Sequence, residues 1–190
     1  YEQGLRHLHR HERGLPKVIA WLGSNVGNFD RPTATRFLRS VRQTLSERDA
    51  LLIGIDLRKD ADVLERAYDD PAGVTARFNL NLLERINREL DGEFDLRRFE
   101  HRATWRDAEG RVEMGLVSRC DQRVAIGALG KVVSFAAGER IHTEDSYKYS
   151  FEEIDALAAG AGLALAERWV EPTHGYSLNL LRTASAPPGR

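Results

Sequence analysis

The chain has 190 residues, is 42% hydrophobic and carries a net charge of -1. That is enough apolar content for a core, and it lacks the basic surplus that marks a nucleic-acid or acidic-membrane partner. No apolar run is long enough for a membrane span, no signal-peptide pattern opens the chain, and the single cysteine, Cys120, excludes an internal disulfide and fits a reducing cytoplasm.

In chain order, "KVIAWLG" from Lys17 reads as a short buried strand ending in glycine. Asp30 is placed to cap the helix that follows, Pro32 sits in its first turn, and Phe37, Val41 and Leu45 recur every four residues. "LLIGIDL" from Leu51 is a second buried strand, so the stretch is a strand–helix–strand unit with a parallel-sheet signature. Two helical stretches come next, the second with Val74, Phe78, Leu82, Ile86 and Leu90 on one stripe. The period then drops to two: Phe99, His101, Ala103 and Trp105 alternate, "DAEG" turns, and Val112, Met114 and Leu116 return as a hairpin. "RVAIGAL" and "KVVSFAAG" add strand. A capping box from Ser150 to Glu153 starts a last helix that ends near Gly160 and Gly162. "LALAERWVE" and "YSLNLLR" are two final strands, and "ASAPPGR" is a frayed tail. The expected fold is an α/β sheet domain, residues 1–59 and 149–190, interrupted by an α+β insertion over residues 60–148.

Four stretches carry polar residues that no core requires. "WLGSNVGNFD" follows a buried strand, where ligands of open α/β sheets sit, and Asn28 can donate and accept; an ordinary turn with Gly and Asn at positive φ fits equally. Tyr68 ends an amphipathic helix and is either a cleft hydroxyl or a half-buried ring with a wet tip, while Asp69 and Asp70 before Pro71 read as caps. His7 and His11 stand four apart without a third ligand, which favours a solvated helix face over a metal. In "HTEDS", Glu144 and Ser146 project to one side of an extended chain, able to grip a ring with two nitrogens or simply to face solvent. No nucleophile, general base or metal set is nominated, and the residues alone lead to an α/β domain with an inserted lobe and a small-molecule cleft.

Taken together, "WLGSNVGNF", "LLIGIDLRKD", "AYDDPAGVTARFNLNLLERINREL", "FEHRATW…RVEMGLVS" and "GERIHTEDSYKYS" resemble the histidine-specific Nα-methyltransferases of ergothioneine biosynthesis, in consistent order from Tyr1 to about Arg182. The resemblance implies part of a class I, Rossmann-like methyltransferase sheet with an inserted α+β substrate-binding domain. It implies S-adenosylmethionine as cofactor, L-histidine as substrate and hercynine as product. By resemblance, Asn28 and Tyr68 hold the substrate carboxylate, and Glu144 and Ser146 clamp the imidazole nitrogens with Asp145 between them. Met114 packs in the imidazole pocket, and Gly23 lies at the cofactor side.

The chain opens at Tyr1 without a methionine, in what reads as a helix. The family's glycine-rich cofactor loop, its ribose-binding acid and a tyrosine-bearing N-terminal segment fall upstream of that point. The expectation is therefore a fragment whose partner is the missing N-terminal half. A catalytically incomplete histidine-binding piece or interaction module, and a methyltransferase of a tryptophan-derived amine, are the alternatives.

Overall fold

The computed structural model describes Gly4 and residues 15–184. The readings of the helix at Tyr1, of His7 and His11, and of the tail after 184 lie outside the described residues. The chain divides into two compact units, one of Tyr1–Arg58 with Tyr147–Arg190 and the other of Lys59–Ser146.

The first unit holds a four-stranded mixed sheet. Strands β1 (Val18–Trp21) and β2 (Ala50–Asp56) pair in parallel, and β9 (Tyr176–Thr183) then β8 (Leu163–Glu171) complete the order β1-β2-β9-β8, both antiparallel to their neighbour. A parallel pair needs a crossover, supplied here by helix α1 (Arg31–Arg42). That helix starts where the sequence marks it: the Asp30 carboxylate accepts the Thr33 N–H at 2.7 Å. Pro32 sits in the first turn, where a missing N–H costs nothing. Its buried face, Ala34, Leu38 and Val41, packs with Leu51, Ile53 and Ile55 of β2 in one core. Before β9, Gly54 of β2 has no side chain because the Tyr176 ring crosses it; an added Cβ would meet the phenol oxygen at 1.9 Å.

The chain leaves this unit through Asp56–Arg58 and returns through Tyr147–Ser150. The two passages are stitched by Tyr149 N–H to the Asp56 carbonyl at 3.1 Å and Arg58 N–H to the Tyr149 carbonyl at 3.0 Å. The buried Lys148 ammonium lies 2.7 Å from the Asp56 carboxylate. The Arg31 guanidinium stacks 3.6 Å above the Tyr149 ring. Helix α4 (Phe151–Gly160; SFEE at its start) begins at once, with the full capping box between Ser150 and Glu153. Glu153 also receives Arg58 through two bonds of 3.0 and 2.6 Å.

The second unit sets helices α2 (Ala61–Tyr68) and α3 (Val74–Leu90) against a three-stranded sheet ordered β3 (Phe99–Arg106), β4 (Arg111–Ser118), β7 (Arg140–Tyr147). A hairpin of β5 (Gln122–Ile126) and β6 (Lys131–Phe135) adds to it. Phe94, Phe99 and Phe135 pack together with Leu83 and Leu116.

Three expectations change. The stripe expected to bury α3 is exposed, with Val74 at 57%, Phe78 at 71% and Leu82 at 45%. The helix instead buries Asn79 and Leu83, about one residue step round the same cylinder. Apolar residues occupy both neighbouring faces of α3, so the period alone does not choose between them. In the loop after β1, positive φ falls on Gly23 and Ser24, not on asparagine. Asp70 does cap α3, accepting the Val74 and Thr75 N–H groups at 3.0 and 2.8 Å. The Thr75 and Val74 bonds hold its carboxyl at about 2. Asp69 ends α2 instead.

Asp49 anchors the β1 edge of the sheet. It is buried and accepts from the Lys17 backbone, the Lys17 ammonium, and the Ser46 N–H and hydroxyl at 2.6–2.8 Å. Burial pushes its carboxyl up, but the Lys17 and Ser46 bonds outweigh burial and hold it well below the usual carboxylate range. A depressed folded pKa contributes stability that is fully present above the unfolded value of about 3.9 and is lost progressively as pH falls from there through the folded value. Asp49→Ala is expected to cost about 1–3 kcal/mol in urea unfolding at neutral pH, with the difference from the parent shrinking below pH 4. A constant difference down to pH 2 contradicts the assignment.

Candidate functional site

Tyr68 closes α2, and its ring packs on a buried cluster of Leu64, Ala103, Val112 and Met114. The alternation of β4 puts Val112, Met114 and Leu116 on the inward face. The Tyr68 hydroxyl meets the Ser146 hydroxyl at 2.8 Å. Ser146 is itself buried. Tyr68, Met114 and Ser146 therefore converge, although they come from a helix end and two strands.

Glu144 lies two residues before Ser146 on β7, so both side chains leave the same side of the strand. It is half-buried, and among the described residues no hydrogen bond or ion pair engages its carboxylate. A carboxylate in that setting is an acceptor without a donor, which is what a ring N–H would supply. Asp145 points elsewhere. One of its oxygens takes an Arg111 guanidinium N–H and the other accepts from His142 Nε2 at 3.0 Å. Arg111 also binds Glu113, which receives Arg140 as well. Burial raises the Glu113 carboxyl, but the Arg106 bond and the charges of Arg140, Arg106 and Arg111 bring it below its ordinary value. Asp145 thus belongs to a strand-crossing ion network between β4 and β7.

Gly115 makes that network possible. The Arg140 side chain crosses β4 at this position, and an added Cβ would meet Arg140 Nε at 2.2 Å and the Ile141 carbonyl at 2.9 Å.

Asn28 and Gly23 belong to the first unit. Asn28 ends a short 3-10 turn, Asn25–Asn28, and is exposed. Two residues that the sequence reading passed over lie beside Tyr68 in the second unit: His101 and Asn79 are buried and hydrogen-bonded to each other at 2.9 Å. The available signal was a histidine in the inward register of β3, between Phe99 and Ala103. An apolar groove of about 670 Å³ lies elsewhere in this unit, lined by Leu82, Ile86, Phe94, Phe135 and Ile141 among others, and none of the candidate residues lines it. Among the described residues no helix is long and apolar enough to cross a membrane.

The structure thus pairs a mixed α/β sheet with an α+β insertion that carries Tyr68, Ser146 and a Glu144 carboxylate unengaged among the described residues. Residues 1–183 match the family described as histidine-specific, S-adenosylmethionine-dependent methyltransferases, and the chain belongs to that family. It is 45% identical over 164 residues to the histidine N-alpha-methyltransferase of Mycolicibacterium smegmatis, covering 86% of this chain and 51% of that protein. It is 30% identical to the L-tryptophan methyltransferase trpM of Psilocybe serbica, covering 98% of this chain and 54% of that one. It is 34% identical to ergothioneine biosynthesis protein 1 of Neurospora crassa, covering 87% of this chain and 18% of that one. The chain spans about half the length of the first two of these relatives.

The family uses S-adenosylmethionine. In the described loop after β1 three polar groups are engaged within the fold. The Gly23 N–H donates to the Tyr176 hydroxyl at 3.2 Å, the Ser24 hydroxyl accepts the Asp56 N–H at 2.9 Å, and the Asn25 amide donates to the Leu22 carbonyl at 2.8 Å.

Gly115→Ala is expected to displace Arg140 and to cost about 1–3 kcal/mol in denaturant unfolding. An unchanged midpoint and slope contradict the close crossing.

Proposed function

We propose that this chain supplies the imidazole-recognising part of an enzyme that methylates the α-amine of L-histidine. The product is N,N,N-trimethylhistidine (hercynine), and the reaction opens ergothioneine biosynthesis. The observation that carries the reading is the Glu144 carboxylate, half-buried and without a partner among the described residues, on the same side of β7 as Ser146. Glu144 accepts one ring N–H. The Ser146 hydroxyl, already shared with Tyr68 at 2.8 Å, serves the other nitrogen, because a hydroxyl can donate and accept at once. Met114 and the aromatic ring of Tyr68 offer the apolar wall.

What this accomplishes is positioning. Displacement at a methyl group needs the amine held in line and stripped of water, and a ring fixed at both nitrogens removes rotational freedom before the reaction begins. The similarity to the M. smegmatis and N. crassa proteins supports the substrate and the pathway step. A second reading, methylation of a tryptophan-derived amine, draws on the P. serbica similarity. Glu144 and Ser146 together speak against it: an indole has one N–H and no second ring nitrogen, so one of the two groups is left without its ring partner, which costs about 1–3 kcal/mol.

Isothermal titration with L-histidine tests the reading. Saturable binding is expected, with Glu144→Ala weakening it by more than about tenfold, near 1.4 kcal/mol, and with L-tryptophan failing to compete. An unchanged dissociation constant in the variant sinks the clamp, and tighter binding of L-tryptophan than L-histidine favours the second reading.

A further inference from the structure

We propose that His101 is a positioning residue for Tyr68, held as the neutral Nε2–H tautomer by Asn79. The inference rests on the reading of Tyr68 and Ser146 as residues of the substrate site.

Three polar groups meet in the interior of the second unit: the Asn79 amide of α3, the His101 imidazole of β3, and the backbone carbonyl of Tyr68. Asn79 is 5% exposed and His101 6%. The Asn79 amide nitrogen lies 2.9 Å from His101 Nδ1 and 3.4 Å from the Gly115 carbonyl. The Gly115 carbonyl can only accept, so it fixes which end of the amide carries the protons. An amide N–H then donates into His101 Nδ1, and that ring nitrogen must be bare. The proton of the neutral ring sits on Nε2, which lies 2.7 Å from the Tyr68 carbonyl, an obligate acceptor. Every group in the chain Gly115–Asn79–His101–Tyr68 finds a complementary partner in this one tautomer.

The consequence falls on the tyrosine. Tyr68 is the last residue of α2, and the last carbonyls of a helix have no partner within it. His101 supplies that partner from the neighbouring sheet and so fixes where α2 stops. The Tyr68 side chain is held at its far end by Ser146 at 2.8 Å. The residue is thereby fixed at its backbone by His101 and at its hydroxyl by Ser146. An apolar residue at 101 would pack between Phe99 and Ala103 but withdraw the hydrogen bond that the ring gives the Tyr68 carbonyl.

The first arm of the test needs no ligand. Nitrogen-15 spectra of labelled histidine in this chain are expected to show His101 with a bare Nδ1 and a protonated Nε2, and Asn79→Leu is expected to lose that fixed state. In His101→Phe the ring signals of Tyr68 are expected to move or broaden; unchanged Tyr68 signals overturn the proposal whether or not histidine binds. If His101→Phe does not fold, Asn79→Leu carries the same comparison. The second arm is a double-mutant cycle read by L-histidine affinity. His101→Phe is expected to weaken binding about tenfold, His101→Gln to recover part of it, and the loss to fall below about twofold in a Tyr68→Phe background. Equal losses in both backgrounds overturn the proposal, because His101 then acts on the fold and not through the phenol. If the parent chain shows no saturable L-histidine binding, the substrate reading fails and the spectra alone decide the role of His101.

Discussion

The pairing of Lys148 with Asp56 is the constraint on which the first unit turns. An ammonium taken wholly out of water is tolerated only beside a carboxylate, and here the partner lies 2.7 Å away at the end of β2. The pair ties the strand on which the chain departs to the strand on which it comes back. The backbone bonds between Asp56, Arg58 and Tyr149 run beside it, and Arg31 from the crossover helix covers Tyr149. Glu153 completes the arrangement by capping α4 while receiving Arg58. Eighty-eight residues can then be inserted between Arg58 and Tyr147 without disturbing the register of β2 and β9. Loop closure is cheap once the ends are fixed as neighbours.

Within the insertion, strand β7 divides its polar residues by the side on which they emerge. Asp145 faces the guanidinium groups that bind β4 to β7, and its charge is spent there. Glu144 and Ser146 emerge opposite, where Ser146 meets Tyr68 and the Glu144 carboxylate has no partner among the described residues. A one-residue slip of β7 would exchange these roles. The crossing of Arg140 over Gly115 works against such a slip, because only glycine leaves room for it. The same network that stabilises the sheet thus determines which carboxylate is left unengaged among the described residues.

Much of the architecture was legible locally. Asp30 and Ser150 announce helix starts by accepting N–H groups three residues on, and Glu153 by accepting the Ser150 N–H three residues back. The alternation of Phe99 to Trp105 and Val112 to Leu116 encodes the β3–β4 hairpin because strand geometry repeats every second residue. The buried face of α3 was not legible, since Val74, Phe78 and Leu82 compete with Asn79 and Leu83 on adjoining faces and only tertiary packing decides. The contact of Tyr68 with Ser146 spans 78 positions; the family resemblance gave the two residues different ends of the substrate, and no periodicity could bring them together. The partners of Asp145 and of His101 were hidden for the same reason, since Arg111 and Asn79 lie 34 and 22 positions away.

The central claim is that Glu144 and Ser146 hold the two nitrogens of an imidazole. The most direct measurement is the nitrogen spectrum of ring-labelled L-histidine titrated with this chain. The account predicts a saturable bound form in which both ring nitrogens shift and the ring is held in one protonation pattern, with the shift of one nitrogen lost in Glu144→Gln. Bound histidine whose ring nitrogens stay at their free positions would contradict it.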